Sequence, residues 1–247
     1  MISSPVRATP CTALRKIADN IMLIVACAMV GLLTGSLINW AVDYLPRFAV
    51  DRANAPKTTP RFTIAWLQLR RAVSLEIMVE LCMALLCAYL YARYDLSWTW
   101  LWLSSVSAFF MLVAAIDWRY RLILNILVYP AAIITIVLQL FYGSMNFSAV
   151  LIGGAFGLGI FLAAAWLRPG DLGGGDVKLA AVIGLIFGFP YALWALLIGV
   201  VGGGVAAILL IVTRRGLPKS QMPYAPFLCL GALIALLYNP LTALFRL

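Results

Sequence analysis

"RPGDLGGGDVKLAAVIG", residues 168–184, interrupts a chain that is otherwise nearly all apolar. It carries Asp171, Asp176, three consecutive glycines and Lys178, and another apolar run follows at once. The apolar run 147–167 lies before it and the run 177–189 continues from it. Continuously apolar runs read as spanning helices, whereas the strands of a closed barrel alternate apolar and polar residues. The polar break therefore sits at a membrane face. The fold class is all-α, a polytopic transmembrane helix bundle of about eight spans.

Composition agrees. The 247 residues are 64% hydrophobic and 11% charged, too little polar surface for a soluble domain of this size. One domain over 1–247 is expected, with spans at 21–42, 73–94, 97–116, 122–142, 147–167, 177–189, 191–213 and 224–245. The sixth span is short enough to be re-entrant, and Pro190 separates it from the seventh. The run 21–42 follows Arg15 and Lys16 but is long for a signal-peptide core and lacks a small-x-small cleavage site. It reads as a membrane helix.

The net charge of +9 comes from eighteen Lys and Arg spread over short loops, where they set orientation and do not read nucleic acid. Thirteen of the eighteen fall in the loops after the odd-numbered spans, from Arg47 to Lys219. Those loops are therefore cytoplasmic, although Arg7, Arg15 and Lys16 in the N-terminal tail work against it. Asp117 ends the third span, and Asp171 and Asp176 precede the sixth, so these carboxylates converge on the cytoplasmic face.

The chain has no histidine, which removes the commonest general base and metal ligand. Its five cysteines, Cys11, Cys27, Cys82, Cys87 and Cys229, form no C-x-x-C pair, so neither a zinc site nor a disulfide framework is expected. Carboxylates remain. Asp19, Asp43, Asp51 and Asp95 sit at span ends or in loops and read as solvated flanks. Glu76 and Glu80 lie one turn apart in the second span. Glu80 is the deeper, so it should face protein or a wet cavity, either paired with Arg70 or Arg71 or serving the site.

Asp117 and Asp176 each have a structural reading. Asp117 can pair with Arg119 or Arg121 at a helix end, and Asp176 can cap a helix start. Together they offer more. Two carboxylates held close share a proton, so one can act as base on a water while the other acts as acid toward a carbonyl or leaving amine. A chain without histidine can hydrolyse a peptide bond this way. The glycines beside Asp176 let a neighbouring helix or an extended substrate backbone come close.

Four segments resemble the type IV prepilin peptidases, membrane aspartic proteases of the GxGD type. "GGGDVKLAAVIG" resembles their G-x-G-D-x-K-L motif. "GLLTGSLINWAVDYLP" (31–46) resembles G-S-F-L-N-V-x-I-Y-R-L-P at the end of the first helix. "AAIDWRYRLILN" (114–125) resembles I-D-x-x-x-x-L-I-P-[DN], and "MPYAPFLCLGALIAL" (222–236) resembles I-P-F-G-P-F-L-A-L-G. Their order and spacing agree over nearly the whole chain. The departures are Leu124 where proline is common and Tyr224-Ala225 in place of Phe-Gly.

The resemblance implies an aspartic endopeptidase of the bacterial inner membrane with Asp117 and Asp176 as catalytic pair and no cofactor. Gly173, Gly175, Lys178 and Glu80 are the accompanying motif and substrate-approach residues. It implies a prepilin or type II secretion pseudopilin helix as partner, cut after a short basic leader at the cytoplasmic face. Many members carry two C-x-x-C pairs between the first two spans, associated with methylating the new N-terminus. Here residues 46–72 form a short basic loop without cysteine, so methyltransfer is either lost or done without that metal. A proton-coupled transporter is the competing reading; it requires acids near the membrane midplane and an inverted repeat.

Overall fold

The computed structural model describes residues 10–46, 75–142, 146–167, 172–213 and 224–238. They form eight helices: α1 (Pro10–Tyr44), α2 (Leu75–Tyr94), α3 (Trp98–Tyr120), α4 (Asn125–Tyr142), α5 (Phe147–Leu167), α6 (Gly174–Phe187), α7 (Tyr191–Val212) and α8 (Ala225–Tyr238). No strand occurs among the described residues. Each apolar run of the sequence becomes one helix, because a backbone in hydrocarbon must satisfy its polar groups within the segment.

Five helical stretches are long and apolar enough to cross a membrane: Asp19–Tyr44, Leu75–Tyr94, Trp98–Tyr120, Phe147–Leu167 and Tyr191–Leu209. Asn125–Phe141 and Ala225–Tyr238 are shorter apolar helices. α6 has 14 residues, about 21 Å at 1.5 Å per residue, short of a hydrocarbon core of about 30 Å. The third helix runs past its apolar stretch to Tyr120, which places Asp117 inside its last turn. Hydroxyls within the helices donate back to their own backbone. Thr34 Oγ1 bonds the Val30 carbonyl at 3.0 Å, Ser107 Oγ the Leu103 carbonyl at 2.8 Å, and Thr135 Oγ1 the Ala131 carbonyl at 2.7 Å.

The chain divides into two compact units, residues 1–37 with 62–108 and residues 38–61 with 109–247. In the first, α1 packs closely on α2: a Cβ on Gly31 or Gly35 would collide with the backbone of Ala84 or Glu80. Trp100 Nε1 donates to the Cys87 carbonyl at 3.1 Å. In the second, α6 packs on α4, α5, α7 and α8. It is the most enclosed helix of that unit, with Leu179, Ala180, Ile183 and Phe187 fully buried.

Small residues permit this enclosure. Gly153 and Gly157 of α5 lie against the backbone of Gly184 and Ala180 on α6, and Gly199 of α7 meets Gly231 of α8 in the same way. Side chains at these points would push the helices apart, so van der Waals contact between backbones holds them. Leu140, Phe141, Val205 and Leu209 point outward as exposed apolar groups suited to lipid.

Candidate active site

Asp117 and Asp176 lie 59 residues apart in the chain, both in the second unit, and near enough that the charge of Asp117 acts on the Asp176 carboxyl. Asp117 is 5% exposed. After it, α3 ends with Arg121 in the left-handed region at φ 53°, and residues 121–124 turn the chain into α4. Leu124 heads that helix: its carbonyl accepts the Leu127 and Val128 N–H groups at 3.0 and 3.2 Å. The start of α6 lies against this turn. A Cβ on Gly175 would stand 2.7 Å from the Ile123 Cβ, so glycine there is what lets the first turn of α6 approach the chain just beyond Asp117.

Gly173 precedes α6 with extended backbone, φ −70° and ψ 141°, and has no side chain to cap the helix. The Asp176 carboxylate reaches back and accepts the Gly173 N–H, the return half of a capping box. A side chain on Gly173 would sit 3.2 Å from Asp176 Oδ2, while around Gly174 there is open space. Burial, then the charge of Asp117, push the Asp176 carboxyl up to about 6, against the lowering effect of the Gly173 N–H.

The first turn of α8 completes the surroundings. The Ala225 backbone N–H donates to the Asp117 carboxylate, and Arg121 lies within electrostatic reach of it. Tyr224 heads α8, its carbonyl accepting the Phe227 and Leu228 N–H groups at 3.1 and 3.3 Å. Its ring centroid is 6.3 Å from that of Phe161. Cys229 lies within the field of both aspartates. Nothing in the segment 222–236 by itself singles out Ala225. The signal was present in principle: a helix start has N–H groups without intrahelical acceptors, and a buried one needs a partner.

Lys178 is engaged by α4. Its Nζ donates to Asn125 Oδ1 at 2.9 Å and stands 5.1 Å from the Tyr129 ring centroid, tying α6 to the first turn of α4. Asn125 and Tyr129 were not expected as partners. Asp43, expected to be a solvated flank, is instead largely enclosed. It forms an ion pair with Arg119 at 2.7 Å, because the last turns of α1 and α3 lie side by side.

Glu80 belongs to the first unit, where it is 1% exposed and packs against Gly35. It therefore faces protein, as a deep carboxylate must. Its expected partners Arg70 and Arg71, the loop acid Asp171, and nearly all of the basic loop 46–72 lie outside the described residues. Among the described residues no group of three or more His, Cys, Asp or Glu could hold a metal ion. Cys27, Cys87 and Cys229 are buried and free, and Cys82 is exposed and free.

The type IV leader peptidase family matches residues 104–208, a stretch that contains Asp117, Asn125, Asp176 and Lys178. The chain is similar to a prepilin leader peptidase/N-methyltransferase of Bacillus subtilis (strain 168), 33% identical over 91 residues, 37% of each chain. It is 24% identical over 167 residues to the protein of the same name from Pseudomonas aeruginosa, covering 66% of this chain and 58% of that one. With the Escherichia coli (strain K12) protein of that name it shares 29% identity over 136 residues, 53% of this chain and 60% of the relative. The matched stretches thus span 37 to 60% of these relatives' own lengths. No solved structure matches.

Proposed function

We propose that this relative of the type IV leader peptidases is a membrane-embedded aspartic endopeptidase with Asp117 and Asp176 as its catalytic pair. It acts as one domain over residues 1–247 in a bacterial inner membrane. Its substrates are prepilins or type II secretion pseudopilins, cut after a short basic leader at the cytoplasmic face. The observation that supports the reading is that Asp117 at the end of α3 and Asp176 at the start of α6 are close enough to interact, burial and the Asp117 charge pushing the Asp176 carboxyl up to about 6. A pair so placed keeps a proton to higher pH than a solvated carboxylate does.

The chemistry follows from that proton. The ionised carboxylate takes a proton from a water, whose oxygen bonds to the scissile carbonyl carbon. The protonated carboxyl gives its proton to the carbonyl oxygen, forming a neutral gem-diol. Collapse of the diol breaks the C–N bond as the amine nitrogen receives the proton taken from the water, and the pair recovers one proton. The Ala225 N–H and the Gly173 N–H hold the two carboxylates in place without supplying a competing acid. Exposed Gly173 and the open space at Gly174 suit an unwound substrate backbone beside Asp176.

Proton-coupled transport is less well supported. It needs carboxylates deep in the membrane, and Asp117 and Asp176 sit in the last and first turns of their helices. The cytoplasmic orientation rests on the excess of Lys and Arg in the odd-numbered loops. The relatives are prepilin leader peptidase/N-methyltransferases; residues 46–72 here contain no cysteine for a zinc module, and peptidase activity alone is proposed.

The test is co-expression with a tagged prepilin or pre-pseudopilin, following leader removal by gel shift. Asp117→Asn and Asp176→Asn should each abolish cleavage while inserting normally. Full activity in either would refute the pair. Mass spectrometry of the new N-terminus reads the cut site and any N-methyl group.

A further inference from the structure

One polar group at the site takes no part in the chemistry described so far. Tyr224 stands just before α8, and the peptide bond that follows it supplies the Ala225 N–H that holds Asp117. Its backbone is therefore fixed beside the carboxylate pair. Its ring reaches α5 and α7. The ring centroid is 6.3 Å from that of buried Phe161 on α5. A Cβ on Gly203 would stand 2.9 Å from Tyr224 Cε2, so it is the lack of a side chain on α7 that admits the ring. These contacts are made by carbon atoms, and phenylalanine would make them equally well. The segment that residues 222–236 resemble carries phenylalanine at this place.

Packing therefore explains the ring and not the hydroxyl. The hydroxyl lies within electrostatic reach of Asp176. Tyr224 is half-buried, and among the described residues none accepts a hydrogen bond from it. A tyrosine hydroxyl that is partly enclosed ordinarily finds a partner. On the same carboxylate, Gly173 and the open space at Gly174 suit a substrate backbone. A phenol ionises only at about pH 10. At neutral pH it is a donor that does not compete for the proton of the pair. In the proposed reaction the oxygen that comes to Asp117 and Asp176 is that of the scissile carbonyl. It has two lone pairs, one for the acid of the pair and one for a second donor. Negative charge grows on it as water adds, so a donor placed there is stronger in the transition state than before it.

We infer that Tyr224 is a further catalytic residue, its hydroxyl donating a hydrogen bond to the scissile carbonyl oxygen while the carboxylate pair protonates that oxygen. The inference rests on the catalytic reading of Asp117 and Asp176.

The test measures kcat and KM for leader removal from a purified tagged prepilin, with the peptidase in lipid nanodiscs. Tyr224→Phe keeps the ring against Phe161 and Gly203, so it should insert and unfold as wild type does. Its kcat should fall by about tenfold, the worth of one hydrogen bond, with KM nearly unchanged. Its pH profile should keep the wild-type position, since the hydroxyl acts on the substrate and does not set the protonation of Asp176. Tyr224→Leu, which loses the ring as well, should also lose stability. A wild-type kcat in Tyr224→Phe would mean that the ring only packs. A loss that comes from a displaced pH profile would mean that the hydroxyl acts through Asp176. Either result overturns the inference. Asp117→Asn and Asp176→Asn run beside it. If both are inactive and Tyr224→Phe is as fast as wild type, the inference falls and the peptidase reading stands. If wild type cleaves no candidate substrate, both fall.

Discussion

Asp176→Asn should cost all cleavage and yet make the protein more stable at alkaline pH. In the folded chain burial and the Asp117 charge push the Asp176 carboxyl from its ordinary 3.8 up to about 6. A rise of about two pH units corresponds to about 3 kcal/mol at 1.36 kcal/mol per unit. The folded state binds this proton more tightly than the unfolded chain does. The stability it contributes is therefore complete below the unfolded value of 3.8 and is lost as pH rises through about 6. At pH 8 the wild type carries the cost of an ionised, enclosed carboxylate beside a second one. Asparagine is neutral and similar in shape, and it keeps an oxygen for the Gly173 N–H. The variant should be more stable than wild type by up to about 3 kcal/mol at pH 8 and close to equal at pH 4. Because the two carboxylates titrate as a pair, Asp117→Asn should capture part of the same gain, and the double variant should gain less than the sum. Denaturant or thermal unfolding in nanodiscs at both pH values, followed by tryptophan fluorescence, measures it. An equal difference at the two pH values, or a variant less stable at pH 8, would refute the reasoning.

Gly184→Val should loosen the contact of α6 with α5, since any Cβ at Gly184 meets the Gly153 backbone. A loss on the order of 1–3 kcal/mol is expected with reduced cleavage, while Gly159→Ala, where nothing lies within 4 Å, should be harmless in the same unfolding assay. Lys178→Met removes the bond to Asn125 and should cost about 1 kcal/mol and a few-fold in cleavage rate. Asn125→Ala should match it, and the double variant should be no worse than either, as for members of one network. Asp171→Asn should leave the cleavage rate within a few-fold of wild type; near-complete loss would mean that the wrong acid of the 168–184 segment has been assigned to the pair.

The order of the described helices was legible from the sequence because partition into lipid depends on composition summed along a segment. The boundaries were less so. The third helix runs beyond its apolar stretch to Tyr120, since its last turn is held by polar partners that hydropathy does not register. Asp117 and Asp176 were legible as candidates from residue type and motif. The expectation for Asp43 failed for a definite reason. A carboxylate at a helix end looks solvated until the neighbouring helix end is known, and that neighbour, Arg119, lies 76 residues away in sequence.

The sequence by itself determined that this is an all-helical, polytopic chain and marked Asp117 and Asp176 as its candidate pair. It also carried the glycines without which α5 and α6 could not touch. These are properties of single segments, and each can be read from its own residues. Only the tertiary structure decided which group meets which: Ala225 N–H with Asp117, Lys178 with Asn125, Arg119 with Asp43. Hydrogen bonds and ion pairs form over about 3 Å, and a rotation of one helix by a single residue position, 100°, replaces every partner. Hydrophobic burial tolerates many such rotations, so the pattern that makes the helices does not choose among them.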